Sequence, residues 1–394
     1  MGSIWSNDHG KTTITYYLAS EWLVAPLGSF VGSYFRFDSI RGYHMDVATS
    51  KVNVAVIGVG RMGGLHARTY QRLSGANLVA VADSDLESRQ AIAENLGCDA
   101  YATYQELFSA HPDIAAVSVA VPTEYHLKIA GELLQRRVAC LVEKPLASTA
   151  GQARELQDIA MRHDAILQVG HTERFNPAVQ AVAALEVTPR FIQVDRISPM
   201  TFRSLDIGVV MDLMIHDLDI VLMLAGTQLE RVDATGVAVL GEHEDIANAR
   251  LVFDGGCVAN LTASRLALKT ERKLRLFSDQ AYVSLDYQAR HGVMIRKTGN
   301  VEALAQVRQQ IADGADLTDL DYSQLVHVEQ LAMDEHKGEQ DPLTAELASF
   351  LTVVARGAQP EVDGEAGCAA IEVAQRVISA VEQHVWEGLD QQRV

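Results

Sequence analysis

The stretch Gly58-Val59-Gly60-Arg61-Met62-Gly63 carries the clearest signal in this sequence. It stands between an apolar run at 52–57, typical of a strand buried on both faces of a parallel sheet, and a helical pattern that continues to about residue 73. The first glycine permits a tight turn, the second lets the backbone approach a pyrophosphate, and the third lets helix and strand pack closely. The helix N-terminus adds unpaired N–H groups and partial positive charge. The candidate cofactor-binding residues here are Gly58, Gly60, Arg61, Met62 and Gly63.

An acidic residue follows at the spacing that dinucleotide binding requires. Asp83 ends the second apolar strand, 20 residues beyond Gly63. A carboxylate there can accept hydrogen bonds from ribose hydroxyls and would repel a 2′-phosphate. Because Ser84 and Asp85, rather than arginine, come next, we expect NAD as the cofactor and not NADP. The alternative is a glycine-rich turn with a purely structural role.

The pattern around this loop predicts two domains in an α/β chain. At 51–170, apolar strands alternate with helical stretches, which indicates βαβ units and a Rossmann dinucleotide-binding domain. At 171–394, apolar and polar residues alternate along strands joined by tight turns, which is typical of a mostly antiparallel sheet. We expect this α+β domain to hold a large open sheet, to bind substrate and to form oligomers. Its C-terminal helices, at 342–384, can pack back on the first domain.

Composition narrows the class of protein. The chain has 394 residues, of which 48% are hydrophobic and 21% are charged, as in globular proteins. Its formal charge of −18 argues against nucleic-acid binding, and its apolar runs are too short to span a membrane. Four separated cysteines without a CxxC pair indicate a reduced, cytoplasmic protein. Residues 1–50 lack a secretory signal and a clear period, so we expect either a flexible extension without a function or sequence upstream of a start at Met45.

Two strand ends carry further polar residues, and ligands of doubly wound sheets bind outside such ends. Pro122 and Thr123 follow one strand. Thr123 can contact a cofactor, although Pro122 can equally well just end the strand. Glu143-Lys144-Pro145 follows another strand. In a dry cleft near a cation Lys144 would have a lowered pKa and could serve in acid–base chemistry; otherwise it is a solvated charge.

A strongly apolar helix around 209–224 carries three polar residues on one face. Asp212, His216 and Asp219 stand at i, i+4 and i+7. Because such a helix must be buried, its polar stripe must meet a partner or a ligand. Asp212 can orient the His216 imidazole and stabilise its charged form, as a general base requires. The alternatives are a buried ion pair or a metal site; we predict no metal, because a second histidine at ligand spacing is missing.

Together these motifs resemble the glucose–fructose oxidoreductase, inositol dehydrogenase and MocA family. The matching segments are GVGRMG (58–63), VPTEYH (121–126), EKPLA (143–147), GHTERFNP (170–177), DLMIHDLD (212–219) and DPLTAELASFL (341–351). The resemblance covers residues 51–390. It implies a cleft where Lys144, Asp212 and His216 meet the nicotinamide of NAD, and a cis peptide bond between Lys144 and Pro145. It departs from the family at 209–210, where valines stand in place of the glycines of many members. The further cofactor-binding residues that it implies are Pro122, Thr123, His126, Glu143 and Lys144.

Within the family, the chain most resembles the UDP-N-acetylglucosamine 3-dehydrogenases, which act in making the diamino sugar of some lipid A. The similarity rests on RFNP (174–177), RISP (196–199) and an uninterrupted DLMIHDLDIVL (212–222). A nucleotide-sugar substrate needs basic groups that hold its diphosphate, and Arg174, Arg196 and Arg203 are candidates unless they form surface salt bridges. The candidate substrate-binding residues are Arg174, Asn176, Arg196, Ser198, Arg203 and His216.

The expected reaction is the oxidation of a sugar-ring hydroxyl. His216 removes the hydroxyl proton while hydride passes to NAD, Lys144 polarises the oxygen, and Asp212 orients His216. With UDP-N-acetylglucosamine the product is a 3-keto sugar, which an aminotransferase can use. One alternative is a dehydrogenase of a free sugar or inositol; another is an NAD-binding sensor without turnover. The sheet face that local helices leave uncovered predicts a homodimer or homotetramer.

Overall fold

The computed structural model describes residues 2–8, 11–17, 51–185, 187–201, 207–298, 301–314, 325–331 and 341–386. The chain divides into two compact units, Met1–Ala48 and Thr49–Val394. In the first unit, β1 (Gly2–Asp8) and β2 (Lys11–Tyr17) pair as an antiparallel hairpin. The sequence did not predict this hairpin, because the segment lacks a clear strand period. The rest of the predicted extension lies outside the described residues.

A six-stranded parallel sheet opens the second unit and confirms the predicted Rossmann fold. Its strands are β3 (Val52–Ile57), β4 (Ala76–Ala82), β5 (Asp99–Tyr101), β6 (Ala116–Val119), β7 (Ala139–Glu143) and β8 (Leu167–Gly170). They lie in the order β5-β4-β3-β6-β7-β8. The order reverses between β3 and β6, and a ligand crevice is expected there, outside the carboxyl ends of the strands.

Helices connect these strands, and polar side chains fix where several of them begin. They are α1 (Arg61–Arg72), α2 (Leu86–Leu96), α3 (Tyr104–Ala110), α4 (His126–Gln135) and α5 (Ala150–His163). The side chains of Asp85, Thr103 and Thr149 accept hydrogen bonds from the first-turn amides of α2, α3 and α5. Thr149 therefore caps α5.

The following eight-stranded sheet confirms the predicted large and mostly antiparallel sheet. Its strands are β9 (Phe191–Ile197), β10 (Leu229–Val237), β11 (Ile246–Phe253), β12 (Val258–Ser264), β13 (Glu271–Phe277), β14 (Ala281–Asp286), β15 (His291–Lys297) and β16 (Val326–Gln330). Their order is β10-β11-β12-β9-β13-β14-β15-β16, and only the β12–β9 pair is parallel. Along β9, β12 and β14 buried residues alternate with half-buried ones, so one face of the sheet forms a core.

Five further α-helices follow β8 in the described residues. They are α6 (Pro177–Ala183), α7 (Ile215–Ala225), α8 (Val301–Ala312), α9 (Pro342–Arg356) and α10 (Gly364–Gln383). The last of these contacts α5 and β8 on one side and α7 and β10 on the other. Its Cys368 and Ile371 belong to the core of the first sheet, while its Ala374 and Val377 belong to the core of the second. None of the described helices is both long and apolar enough to cross a membrane.

Candidate functional site

A cleft of about 700 Å³ brings residues of three separate motifs together. The glycine loop, the end of β7 and the segment that leads into α7 all contribute to its lining. The residues from these motifs are Arg61, Met62, Glu143, Lys144, Asp212 and His216. The cleft therefore contains the three predicted catalytic side chains.

The glycine loop has room for a phosphate at one position and none at the other two. Gly58 has a φ of +83°, and a Cβ there would come within 2.7 Å of the Ala120 carbonyl oxygen. A Cβ at Gly63 would collide with the Gly58 carbonyl. At Gly60, where α1 begins, a Cβ would meet no atom within 4 Å. This open backbone at a helix N-terminus fits the pyrophosphate of a dinucleotide.

Asp83 lies against the glycine loop. Its Oδ2 accepts a hydrogen bond from the Val59 N–H at 2.7 Å, and its Oδ1 accepts one from the Asp85 N–H at 2.9 Å. Arg89, which the sequence reasoning missed, donates to the carbonyl oxygens of Asp83 and Ser84 at 3.2 and 3.1 Å. The carboxylate is therefore fixed beside the loop, where the adenosine ribose of a dinucleotide is expected.

We expect the protein to bind NAD at least about tenfold more tightly than NADP, because the Asp83 carboxylate would repel a 2′-phosphate. Asp83→Asn should narrow this difference in affinity, because the amide no longer repels a 2′-phosphate and accepts hydrogen bonds from ribose hydroxyls less strongly. Isothermal titration calorimetry with both cofactors measures it. Asp99→Asn, which changes an exposed carboxylate on the neighbouring β5, serves as the control. Equal affinities in the unaltered protein would contradict the prediction.

The predicted contacts at the end of β6 lie outside the lining of the cleft. Pro122 is exposed and Thr123 is half-buried. His126 is buried, with Nε2 2.9 Å from the Val121 carbonyl oxygen and Nδ1 3.1 Å from that of Pro145. Burial lowers the pKa of this imidazole, against the carbonyl contacts, which raise it. His126 therefore joins the segments that follow β6 and β7.

Lys144 connects the two halves of the cleft. The peptide bond between Lys144 and Pro145 is cis, as the resemblance implies. Nζ donates to the backbone carbonyl oxygen of Asp212 at 2.8 Å and lies 3.7 Å from that residue's Oδ1. Burial lowers the pKa of the ammonium, and the carboxylates of Asp212 and Glu143 partly oppose this. The ammonium is therefore held at the start of the helix that carries His216.

The segment before α7 is a π-helical turn, Val210–Met214, where the sequence predicts regular α-helix. Such turns are frequent at functional sites. The Asp212 carboxylate lies beside Lys144, and no hydrogen bond joins it to the His216 side chain in the described parts of the chain. Nδ1 of His216 is buried without a hydrogen-bond partner among the described residues. The prediction that Asp212 orients His216 therefore has only their shared helix to support it.

Electrostatics keep the His216 ring neutral. Burial, followed by the positive charges of Lys144 and Arg196, holds the pKa of His216 well below its usual range. A neutral imidazole has a free nitrogen that can accept a proton. His216 is therefore in the state that a general base needs.

Two of the predicted diphosphate-binding arginines form ion pairs inside the protein. Arg174 donates to both carboxylate oxygens of Asp219, at 2.6 and 2.7 Å. Arg196 donates to both oxygens of Asp217, at 2.6 and 2.9 Å. Asp219 is thus half of a buried ion pair, which is one of the alternatives that the sequence left open for the polar face of this helix. Because each guanidinium already faces a carboxylate, neither offers an uncompensated charge to a diphosphate.

The other predicted substrate-binding residues have different positions. Asn176 lines the cleft and also caps α6, since its Oδ1 accepts from the Ala178 N–H at 3.0 Å. Ser198 is half-buried after β9, and its N–H donates to the Ser264 carbonyl oxygen at 2.9 Å. Arg203 lies outside the described residues. Of these three, only Asn176 is placed in the cleft.

Several cleft residues were missed by the sequence reasoning. Arg272 on β13, together with Tyr287, Gln288 and Arg290 between β14 and β15, completes one wall. The Tyr287 hydroxyl is buried and has no hydrogen-bond partner in the described ranges. These residues belong to no motif, and only the sheet topology brings them to the cleft. His171 does not line the cleft, although it lies in the GHTERFNP segment whose Gly170 and Thr172 do; both of its ring nitrogens are buried and unpartnered within the described chain.

Comparisons with known proteins agree with this architecture. A family described as "Oxidoreductase family, NAD-binding Rossmann fold" (GFO/IDH/MocA) matches residues 52–171, and the GFO/IDH/MocA C-terminal domain matches residues 189–284. UDP-N-acetylglucosamine 3-dehydrogenase of Acidithiobacillus ferrooxidans is 33% identical over 334 residues, which cover 84% of this chain and 97% of that protein. Inositol 2-dehydrogenase of Rhizobium meliloti is 25% identical over 343 residues, with coverages of 84% and 97%.

A solved structure is similar over the same length. That of the Acidithiobacillus ferrooxidans UDP-N-acetylglucosamine 3-dehydrogenase superposes with a TM-score of 0.74 at 31% identity. The match covers 84% of this chain and 98% of that one. The similarity therefore includes both sheets and is not restricted to the nucleotide-binding part.

Proposed function

The chain belongs to the GFO/IDH/MocA family of NAD-binding oxidoreductases, and we propose that it oxidises C3 of UDP-N-acetylglucosamine to the 3-keto sugar. The observation that carries the proposal is the cleft in which Lys144 and His216 lie beside the glycine loop. NAD, when bound, supplies the acceptor for the hydride. The substrate is proposed because the relative at 33% identity, which matches over nearly its whole length, is named for this reaction.

The side chains of the cleft have complementary roles in this proposal. His216 accepts the hydroxyl proton at Nε2, since its Nδ1 is buried. Lys144 donates a charge-assisted hydrogen bond from Nζ to the substrate oxygen and stabilises the negative charge that develops there. The Asp212 carbonyl and carboxylate hold the ammonium at this position.

A product assay tests the substrate. We expect NADH to form when the protein is mixed with NAD and UDP-N-acetylglucosamine, and mass spectrometry to show a sugar nucleotide lighter by two hydrogens. With an amino donor and an aminotransferase, the 3-keto sugar should become a 3-amino sugar, the chemistry that a lipid A diamino sugar requires. NADH formation only from free sugars or inositols would favour the alternative that the 25% identical inositol 2-dehydrogenase represents. A cytoplasmic location stays a prediction.

We propose Arg272 as the residue that holds the diphosphate: it lines the cleft, its side chain is 42% exposed, and its hydrogen bond to Oε1 of Glu173 is long, at 3.4 Å. Replacing it with glutamine should raise KM for UDP-N-acetylglucosamine about tenfold or more, because a charge-assisted hydrogen bond contributes about 1.5–3 kcal/mol. The value of kcat should change much less. Arg275→Gln is the matched control, since Arg275 lies on the same strand but on the opposite face and pairs with Asp195 at 3.4 Å. Equal effects of the two variants in steady-state kinetics would contradict the role of Arg272.

The open face of the second sheet supports the proposal of a homodimer or homotetramer. Phe277 packs against Phe191 and Tyr282, with ring centroids 5.7 and 4.8 Å apart, and is 39% exposed. Phe191 and Tyr282 are half-buried, and a partly exposed aromatic cluster on a sheet face is typical of a subunit interface. We expect light scattering to give two or four times the chain mass, and Phe277→Asp to shift it toward the monomer. A monomeric mass for the unaltered protein would contradict this.

A further inference from the structure

A chain of buried polar side chains begins at Glu143 in the cleft and carries no proton or hydride in the proposed reaction. Oε1 of Glu143 lies 2.8 Å from Nε2 of His66. Nδ1 of His66 lies 2.9 Å from the Ser118 hydroxyl, which lies 2.9 Å from the Tyr70 hydroxyl. His66, Ser118 and Tyr70 are fully buried, whereas Glu143 also lines the cleft. We name these four residues the His66 chain.

Its hydrogen bonds have one consistent direction. A carboxylate only accepts, so Nε2 of His66 donates to Glu143. In a neutral ring Nδ1 then accepts from the Ser118 hydroxyl, whose oxygen accepts from the Tyr70 hydroxyl. The second carboxylate oxygen of Glu143 accepts from the Lys144 N–H at 3.2 Å. The Glu143 carboxylate is therefore held from two sides.

The pKa of a second buried carboxyl group, that of Glu346, is shifted in the opposite direction from the pKa of Glu143. Glu346 is fully buried; one of its oxygens accepts from the Thr172 hydroxyl at 2.9 Å, and the other has no partner among the described residues. Burial, together with the charge of Glu143, raises the pKa of Glu346 well above its usual range. Burial alone would also raise the pKa of Glu143, but the contacts with His66 and Lys144 lower it. The negative charge of the pair is therefore carried by Glu143.

We infer that Glu143, held by its hydrogen bond from His66, sets the preference of the protein between NAD⁺ and NADH, because it keeps a fixed negative charge at the cleft. Glu143 ends β7, across the strand-order reversal from Asp83. When the adenosine ribose lies at Asp83, the nicotinamide half lies on the Glu143 side. The oxidised nicotinamide ring carries a positive charge that the reduced ring lacks, so a carboxylate there favours NAD⁺. The inference rests on the dinucleotide-binding part of the proposed function and not on the identity of the sugar.

Cofactor binding without any sugar tests this inference. The ratio of the NADH Kd to the NAD⁺ Kd is measured by calorimetry for the unaltered protein and each variant. Glu143→Gln should lower this ratio about tenfold, because it removes the charge and keeps the shape. His66→Ala should lower it at least about threefold, because the buried carboxylate loses its donor and takes up a proton.

Two further variants separate a positioning role from a structural one. His66→Gln keeps a side-chain donor and should restore most of the NAD⁺ preference. Tyr70→Phe, one turn along α1, removes only the far end of the chain and should keep the ratio within about twofold. If Glu143→Gln weakens NAD⁺ and NADH by the same factor, or if Tyr70→Phe acts as strongly as His66→Ala, the His66 chain only supports the fold and the inference is wrong.

Thermal melting shows whether the His66 variants fold. If they do not, the isosteric Glu143→Gln variant alone tests whether the charge of Glu143 sets the NAD⁺ preference. Turnover of UDP-N-acetylglucosamine plays no part in this measurement. Failure of the substrate proposal would therefore leave the binding ratio, and the inference drawn from it, intact.

Discussion

His216→Ala is expected to lower kcat about 10²–10⁴-fold, the usual contribution of a general base. The physical reason is that the buried ring, beside Lys144 and Arg196, is neutral and can accept the hydroxyl proton as the hydride leaves. Steady-state NADH formation measures the effect. NAD binding should change little, because the glycine loop and Asp83 are unaltered.

His243→Ala is the matched control for that experiment, since His243 is exposed and does not line the cleft. Thermal melting shows whether each variant keeps its fold. Turnover of His216→Ala close to that of the unaltered protein would remove His216 from the role of base and leave Lys144 as the candidate.

Lys144→Met should lower kcat about 10²–10³-fold, because it removes the cation that stabilises the developing charge on the substrate oxygen while keeping most of the length of the side chain. It should also change the pH dependence of the remaining activity. The charge of Lys144 is one cause of the low pKa of His216, second to burial. Without it the pKa rises toward its usual value, so activity should begin to fall at a higher pH on acidification.

Lys128→Met, which removes an exposed lysine on α4, should leave both the rate and the pH profile unchanged. Rate measurements between pH 5 and pH 8, the range in which histidine ordinarily titrates, distinguish the outcomes. If the acid limb of Lys144→Met coincides with that of the unaltered protein, the electrostatic coupling between Lys144 and His216 is contradicted.

Much of the fold could be predicted because its signals are local. The apolar runs at 52–57 and 139–142 lie within β3 and β7, and the alternating stretches at 246–253 and 281–286 are β11 and β14. The strand β15 was missed because its sequence, HGVMIRK, does not alternate regularly. The helices α6 and α8 were also missed. Both α6 and β15 contain buried residues, so burial alone did not make an element predictable from its local period.

The site was less accessible to prediction, because its contacts join distant parts of the chain. Lys144 and His216 stand in motifs, and their positions in one cleft agree with the expectation. The pairing of Arg174 with Asp219 bridges 45 positions, and no local pattern indicates which carboxylate a guanidinium will meet. His66 lies in α1 outside the motifs that were considered, and only the packing of α1 on β6 and β7 shows its contacts.

The helix α10 has a consequence for how the chain is made. Its Ile371 completes the core of the first sheet, and its Val377 completes that of the second. Translation proceeds from the N-terminus, so both cores are completed only after residues 364–383 have been made. A chain that ends before residue 364 would therefore leave the interiors of both sheets incomplete.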